Sequence, residues 1–140
     1  MLKGKIYFHK NANPVRTFIA LDLNLPARQQ LAEYATTLQQ HLATPNLRWS
    51  PIENIHLPLQ FLGEISTDLA DNLLAALPQV AANHAAFRLS FGGVGGFPKL
   101  QQPRVVWVGL AGDKPALLRL QAAVAITCAH LGHAPEKRPY

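Results

Sequence analysis

Short strand-like runs alternating with amphipathic helical stretches restrict this chain to folds in which helices pack on small sheets. Arg16 to Leu23 (RTFIALDL) is rich in β-branched and aromatic residues and reads as a buried strand. Pro26 suits the first turn of a helix, and Leu31, Tyr34, Ala35, Leu38 and Leu42 recur at helical spacing to about His41. Thr44, Pro45 and Asn46 break that helix, and Leu47 to Trp49 is expected to form a brief strand stopped by Ser50 and Pro51. Ile55 to Leu62 (IHLPLQFL) is a third strand, ended by Gly63. Ser66 is a candidate N-cap for a second helix striped by Leu69, Leu73, Leu74, Leu77, Val80 and Ala81, which Pro78 should kink or restart. A strand from Phe87 to Phe91 leads into a flexible loop of Gly92, Gly93, Gly95 and Gly96, closed by Phe97-Pro98. Arg104 to Leu110 (RVVWVGL) is another strand. Asp113 and Pro115 open a third helix lined by Leu117, Leu120, Val124, Ala125 and Cys128, with Gly132 as its stop. The order β-α-β-β-α-β-β-α contains no run long enough for a doubly wound parallel sheet. It predicts an α+β fold with helices on antiparallel or mixed sheets. The two halves share a rhythm of strand, helix, strand, as suits two related lobes. Residues 1–15 read as an N-terminal extension to a domain over 16–140. Within it Asn11, Asn13 and Pro14 form turns, and Ile6, Tyr7 and Phe8 suit a short extra strand.

Composition narrows the class. A chain of 140 residues makes one domain or two small lobes, and 49% hydrophobic residues argue against wholesale disorder. Thirteen Lys and Arg against eight Asp and Glu give +5, an excess suited to an anionic partner such as RNA or a phosphorylated small molecule. A single cysteine excludes an intrachain disulfide framework and a multi-cysteine zinc site, and points to a reducing, cytoplasmic setting. No apolar run approaches the length of a membrane span, so no membrane partner is expected. Met1 to Lys10 lacks the apolar core of a secretory signal.

His56 is the most informative side chain. In an alternating strand Ile55, Leu57, Leu59 and Phe61 fall on one face, and His56, Pro58 and Gln60 on the other. That directs the imidazole away from the core, where it can donate or accept a proton near neutrality. The plain alternative is a surface strand histidine without a role.

The residues around it carry a resemblance. The run Arg48-Trp49-Ser50-Pro51-Ile52-Glu53-Asn54-Ile55-His56-Leu57-Pro58-Leu59-Gln60-Phe61-Leu62-Gly63-Glu64 resembles the first active-site segment of the 2H phosphoesterases. It is most similar to that of the bacterial RNA 2′,3′-cyclic phosphodiesterases, also called 2′-5′ RNA ligases. Arg16 to Leu23 is similar to that family's first strand, and Gly96-Phe97-Pro98 followed by Arg104-Val105-Val106-Trp107-Val108-Gly109 to its middle section. Glu136-Lys137-Arg138-Pro139-Tyr140 is similar to the loop that introduces its second catalytic motif. The resemblance implies a bilobal fold of two small, mostly antiparallel sheets with helices outside and a central cleft, to which each lobe brings one His-x-Thr-x motif. It implies no metal and no cofactor. The implied substrates are RNA ends or nucleotides carrying a 2′,3′-cyclic phosphate, opened by one histidine acting as base toward water and another as acid toward the leaving ribose oxygen. His56 then occupies the place of the general acid. Phe97 is expected to lean toward a base, and Arg138 to add positive field beside the phosphate.

Two departures stand out. Pro58 occupies the threonine position of the first motif, so the hydroxyl that would hold a phosphate oxygen is lost. A proline within a strand also signals an edge or a bulge. Second, the chain stops at Tyr140, where the second motif and the family's last strands are expected. An incomplete sequence is the most economical reading. A degenerate relative, or a cleft completed by a second subunit, are the others, and an exposed sheet edge invites self-association. Two rival functions stay open: a non-catalytic RNA-end or nucleotide binder, and a phosphodiesterase of a small cyclic-phosphate nucleotide.

The remaining candidates read blandly. His130 and His133 straddle a helix end and are favourable there without a metal, as is His41. Cys128 lies on an apolar stripe and reads as a core thiol. No Gly-Lys-Ser/Thr follows the glycines, so they form no P-loop. Trp49 and Trp107 have apolar neighbours and are expected in the core rather than stacked on bases. Arg48, Lys99 and Arg104 read either as scattered surface charge or as part of a field for RNA.

Overall fold

A computed structural model describes residues 4–8, 15–42 and 47–134. It contains the strands β1 (Gly4–Phe8), β2 (Val15–Asp22), β3 (His56–Ile65), β4 (Leu89–Phe97) and β5 (Val105–Gly112), and the helices α1 (Leu25–His41), α2 (Thr67–Ala82) and α3 (Lys114–His130). One sheet has the order β1-β2-β3 and the other is the pair β4-β5, antiparallel throughout. The architecture is α+β, with two small antiparallel sheets and three helices. The chain divides into two compact units: 1–22, 56–87 and 115–140 form one, and 23–55 with 88–114 form the other.

In the first unit the core-facing positions of the three-stranded sheet are Ile19, Leu21, Leu59, Leu62 and Ile65. With Ala20 of β2, Ala70 and Leu73 of α2, and Ala116, Leu117, Leu120, Val124 and Cys128 of α3, they make up its buried apolar interior. Ser66 caps α2, its hydroxyl accepting from the Leu69 N–H at 3.2 Å. Pro78 neither restarts nor ends that helix, which runs unbroken to Ala82. The carbonyl that Pro78 leaves without a donor is that of Leu74, and both residues are exposed, so water can replace the lost bond. Gly132 stops α3 at φ +93, with Gly132 N–H on Ala129 O (3.0 Å) and His133 N–H on Cys128 O (2.9 Å). This is a complete Schellman cap. Strand β1 pairs with β2 from Gly4↔Leu21 to Phe8↔Thr17, so the extra strand suggested by Ile6, Tyr7 and Phe8 forms.

In the second unit Asn24 caps α1, its Oδ1 accepting from the Ala27 N–H at 3.0 Å, with Pro26 in the first turn. Tyr34 of α1 meets Phe91 of β4 edge-on, ring centroids 6.1 Å apart.

Two expected elements differ. Leu47–Trp49 forms no strand; Ile52–Asn54 instead coils into a single 3-10 turn, closed by Asn54 N–H on Pro51 O (3.0 Å) and Ile55 N–H on Ile52 O (3.1 Å). Pro51 offers no donor to a neighbouring strand, and a three-residue run has too little ladder to order itself. The glycines after Phe91 form no loop. They belong to β4, where Gly92 and Gly93 together face Gly109 in a bulge between the pairs Phe91↔Leu110 and Val94↔Val108. Gly93 adopts φ +82, and a side chain on Gly109 would meet the Gly92 carbonyl oxygen at 2.5 Å. Glycine is what lets the two backbones approach, and a glycine cluster reads as a loop only until that approach is seen.

Candidate active site

His56 is the first residue of β3 and lies opposite Asp22, the last residue of β2. Its ring stacks on Phe18, with centroids 4.6 Å apart and planes 15° from parallel. The imidazole is half-buried: one face rests on an aromatic floor, which fixes its orientation and leaves it within reach of solvent.

The strand around it departs from simple alternation. The register pairs Ala20↔Pro58 and Ile19↔Gln60, so Leu59 is an extra residue; it pairs Phe18↔Phe61 and Thr17↔Gly63, so Leu62 is another. Each bulge turns the side chains after it to the opposite side. The consequence is a correction to the expected faces: Gln60 is buried, at 5% exposure, and Phe61 is exposed, at 49%. Pro58 announces the first bulge, as a proline that cannot donate to a ladder should. The Gln121 side chain of α3 donates to the Leu59 carbonyl at 3.3 Å, anchoring the bulged residue to a helix.

Register partners share a face, so one side of this sheet carries Asp22 with His56, Ala20 with Pro58, Phe18 with Phe61, and Arg16 with Glu64. The Arg16 guanidinium sits 5.7 Å from the centre of the Phe61 ring. Pro58 is exposed on this face beside His56, offering neither hydroxyl nor N–H. Phe18 is the neighbour of His56 that the sequence did not single out. Pairing RTFIALDL antiparallel to IHLPLQFL would have found it.

The other candidates lie on other elements. Phe97, the last residue of β4, is 67% exposed. Trp107 on β5 is 53% exposed and Trp49 is 37% exposed, so neither is the core side chain that its apolar neighbours suggested. Arg48, Lys99 and Arg104 are exposed, and Arg138 lies outside the described residues. Burial pushes the Cys128 thiol up to about 11, which keeps it protonated and unreactive at neutral pH. His133 supplies the last bond of the α3 cap. Among the described residues no group of three or more His, Cys, Asp or Glu is placed to hold a metal ion, and no helix is long and apolar enough to cross a membrane.

The LigT-like phosphoesterase family profile matches residues 21–107, which include His56 and most of the face just described. The chain belongs to the LigT-like phosphoesterases. A curated member, the RNA 2′,3′-cyclic phosphodiesterase of Geobacillus stearothermophilus, is 32% identical over 123 residues, covering 88% of this chain and 38% of that protein. Among solved LigT-like structures, one described as a phosphoesterase superposes with a TM-score of 0.70 at 26% identity, covering 91% of this chain and 68% of that one. Escherichia coli LigT in complex with 3′-AMP gives 0.67 at 25% identity, covering 89% and 67%. The chain spans about half the length of two further curated LigT-like relatives, both RNA 2′,3′-cyclic phosphodiesterases.

Proposed function

We propose that this chain acts on RNA ends bearing a 2′,3′-cyclic phosphate, hydrolysing them to 2′-phosphates, with His56 as general acid. The observation that carries the reading is the stacked, half-exposed imidazole at the head of β3, in a chain whose family includes RNA 2′,3′-cyclic phosphodiesterases. Water attacks phosphorus and loses a proton to a general base, the bond from phosphorus to the 3′-oxygen breaks, and His56 delivers a proton to that oxygen as it leaves. When a 5′-hydroxyl replaces water in the same ring opening, a 2′-5′ linkage forms without a nucleotide cofactor. Phe18 holds the acid in place. Phe97 contacts a base, and Arg138 adds positive charge near the phosphate. The single, buried cysteine suits a cytoplasmic enzyme.

A second reading has one observation in its favour. Pro58 replaces a phosphate-binding hydroxyl, as a non-catalytic RNA-end binder would tolerate. The test is turnover of an oligoribonucleotide ending in a 2′,3′-cyclic phosphate, with EDTA present. Turnover that disappears in His56→Ala supports the enzyme. Binding without turnover selects the second reading, and turnover unchanged in His56→Ala removes His56 from the chemistry.

A further inference from the structure

The pair β4-β5 presents two unlike faces. Phe91↔Leu110 and Val94↔Val108 share a face, and Phe91 on that face meets Tyr34 of α1. The opposite face carries Gly95↔Trp107 and Phe97↔Val105, and there Trp107 is 53%, Phe97 67% and Val105 56% exposed. An exposed cluster of this kind marks a contact surface rather than a folding error.

Its construction is specific. A Cβ on Gly95 would lie 2.0 Å from Cζ2, 2.3 Å from Cε2 and 2.6 Å from Cη2 of Trp107, so the six-membered ring of the indole rests directly over that glycine. Gly109, two residues along β5 and on the same face, adds no side chain to hem the ring in. The indole therefore has backbone beneath it and an open side. The segment that carries it has one sign of charge in excess: in residues 88–114, Arg88, Lys99, Arg104 and Lys114 are all exposed, against Asp113 alone. An open aromatic surface on a cationic hairpin matches an unpaired nucleic acid strand, whose bases stack and whose phosphates are anionic. A protein partner is less well matched, because the face offers a flat ring and glycines rather than interlocking aliphatic side chains.

We propose that Trp107 is a stacking platform for an unpaired base of the RNA substrate, seated on Gly95 and flanked by Phe97. The proposal deepens the RNA-end reading above and rests on it, adding a residue that recognises the RNA chain rather than its cyclic phosphate. It also gives the glycines of β4 a purpose: any side chain at position 95 displaces the ring.

The test uses a Trp49→Phe background, in which Trp107 is the sole indole. Titration with an oligocytidylate ending in a 2′,3′-cyclic phosphate is expected to quench its fluorescence. Trp107→Ala should weaken binding of that oligomer about tenfold, and Trp107→Phe should restore most of it. The same oligomer with abasic riboses should lose the quench and bind about as weakly to the parent as the normal oligomer binds to Trp107→Ala. Equal binding by parent and Trp107→Ala, no binding by either, or an undiminished affinity for the abasic oligomer would each overturn the proposal. So would a change in sedimentation of Trp107→Ala without RNA, which would assign the face to contacts between protein copies. Turnover of the cyclic end is scored separately, so failure of catalysis and failure of stacking are read independently.

Discussion

The two units of this chain divide the hydrophobic work unequally. Among the described residues, every buried apolar side chain but Leu31 and Pro103 belongs to the unit built on β1-β2-β3, α2 and α3. The other unit shows Leu25, Trp49, Phe97, Val105 and Trp107 to solvent, and its sheet has only two strands. A two-stranded sheet with one helix sits near the lower limit of independent stability. The difference teaches where each task is placed. His56, the acid proposed above, is carried by the well-packed sheet, on a strand pinned by two bulges and a helix side chain. The loosely cored pair β4-β5 keeps its aromatic side chains available at its surface.

The sharpest way to break that division is to remove one function from each unit. His56→Ala should reduce turnover of cyclic-phosphate RNA by about a hundredfold or more, the range of a lost general acid, with binding of the same RNA changed far less. A fall in affinity as large as the fall in turnover would mean that His56 is a binding residue and that chemistry and recognition are not separated.

Stability gives the next largest contrast. Leu73 is fully buried in α2, and Leu73→Ala should cost about 2–5 kcal/mol in denaturant unfolding. Leu31→Ala should cost less, because Leu31 is 6% exposed where Leu73 is 0%, and few other residues of its unit are buried. Amide hydrogen exchange should show the same order, with β2, β3 and α3 protected most and β4 and β5 exchanging through smaller openings. Uniform protection across both units would contradict the unequal cores.

Much of this was legible in the sequence. The helices α1, α2 and α3 follow their apolar spacing, and Ser66 and Gly132 bound them as capping chemistry dictates. The family resemblance rested on several separated segments, of which the structure sets His56 and Pro58 together on one face of the β1-β2-β3 sheet. Illegible were the features that depend on two strands at once. Alternation in IHLPLQFL put Phe61 inside and Gln60 outside, because a bulge is a property of register, which one strand does not contain. The glycines of β4 looked like a loop, since nothing local announces that Gly109 will approach them across a ladder. Trp107 was assigned to the core by its neighbours on β5. Its exposure follows from the face of the β4-β5 pair that it occupies, where Gly95, a residue on another strand, leaves room for its ring.

Cys128 tests the packed unit from the side of pH. Its thiol is raised from 9.0 to about 11 by burial, so the folded state holds the proton more tightly than the unfolded chain. The stabilisation is therefore complete below pH 9 and is lost as the pH climbs toward 11, a fall of about 3 kcal/mol at most. Wild-type stability minus that of Cys128→Ala, followed by denaturant unfolding from pH 8 to 11, should decline over that interval. A difference that stays flat would show that the thiol is not held in an apolar interior.

The smallest effect concerns the bond that ties the bulged strand to its helix. Leu59 has no register partner on β2, and the Gln121 amide donates to its carbonyl. Gln121→Ala should lower stability by about 1 kcal/mol, the net value of one such bond. Its effect on function is the more telling measurement. If the bulge at Leu59 aims the start of β3, loosening it should lower kcat for cyclic-phosphate RNA by a few-fold, leave KM unchanged and spare oligonucleotide binding at Trp107. A loss of stability with kcat untouched would show that Phe18 alone is sufficient to hold the imidazole, and that the bulge serves packing rather than aim.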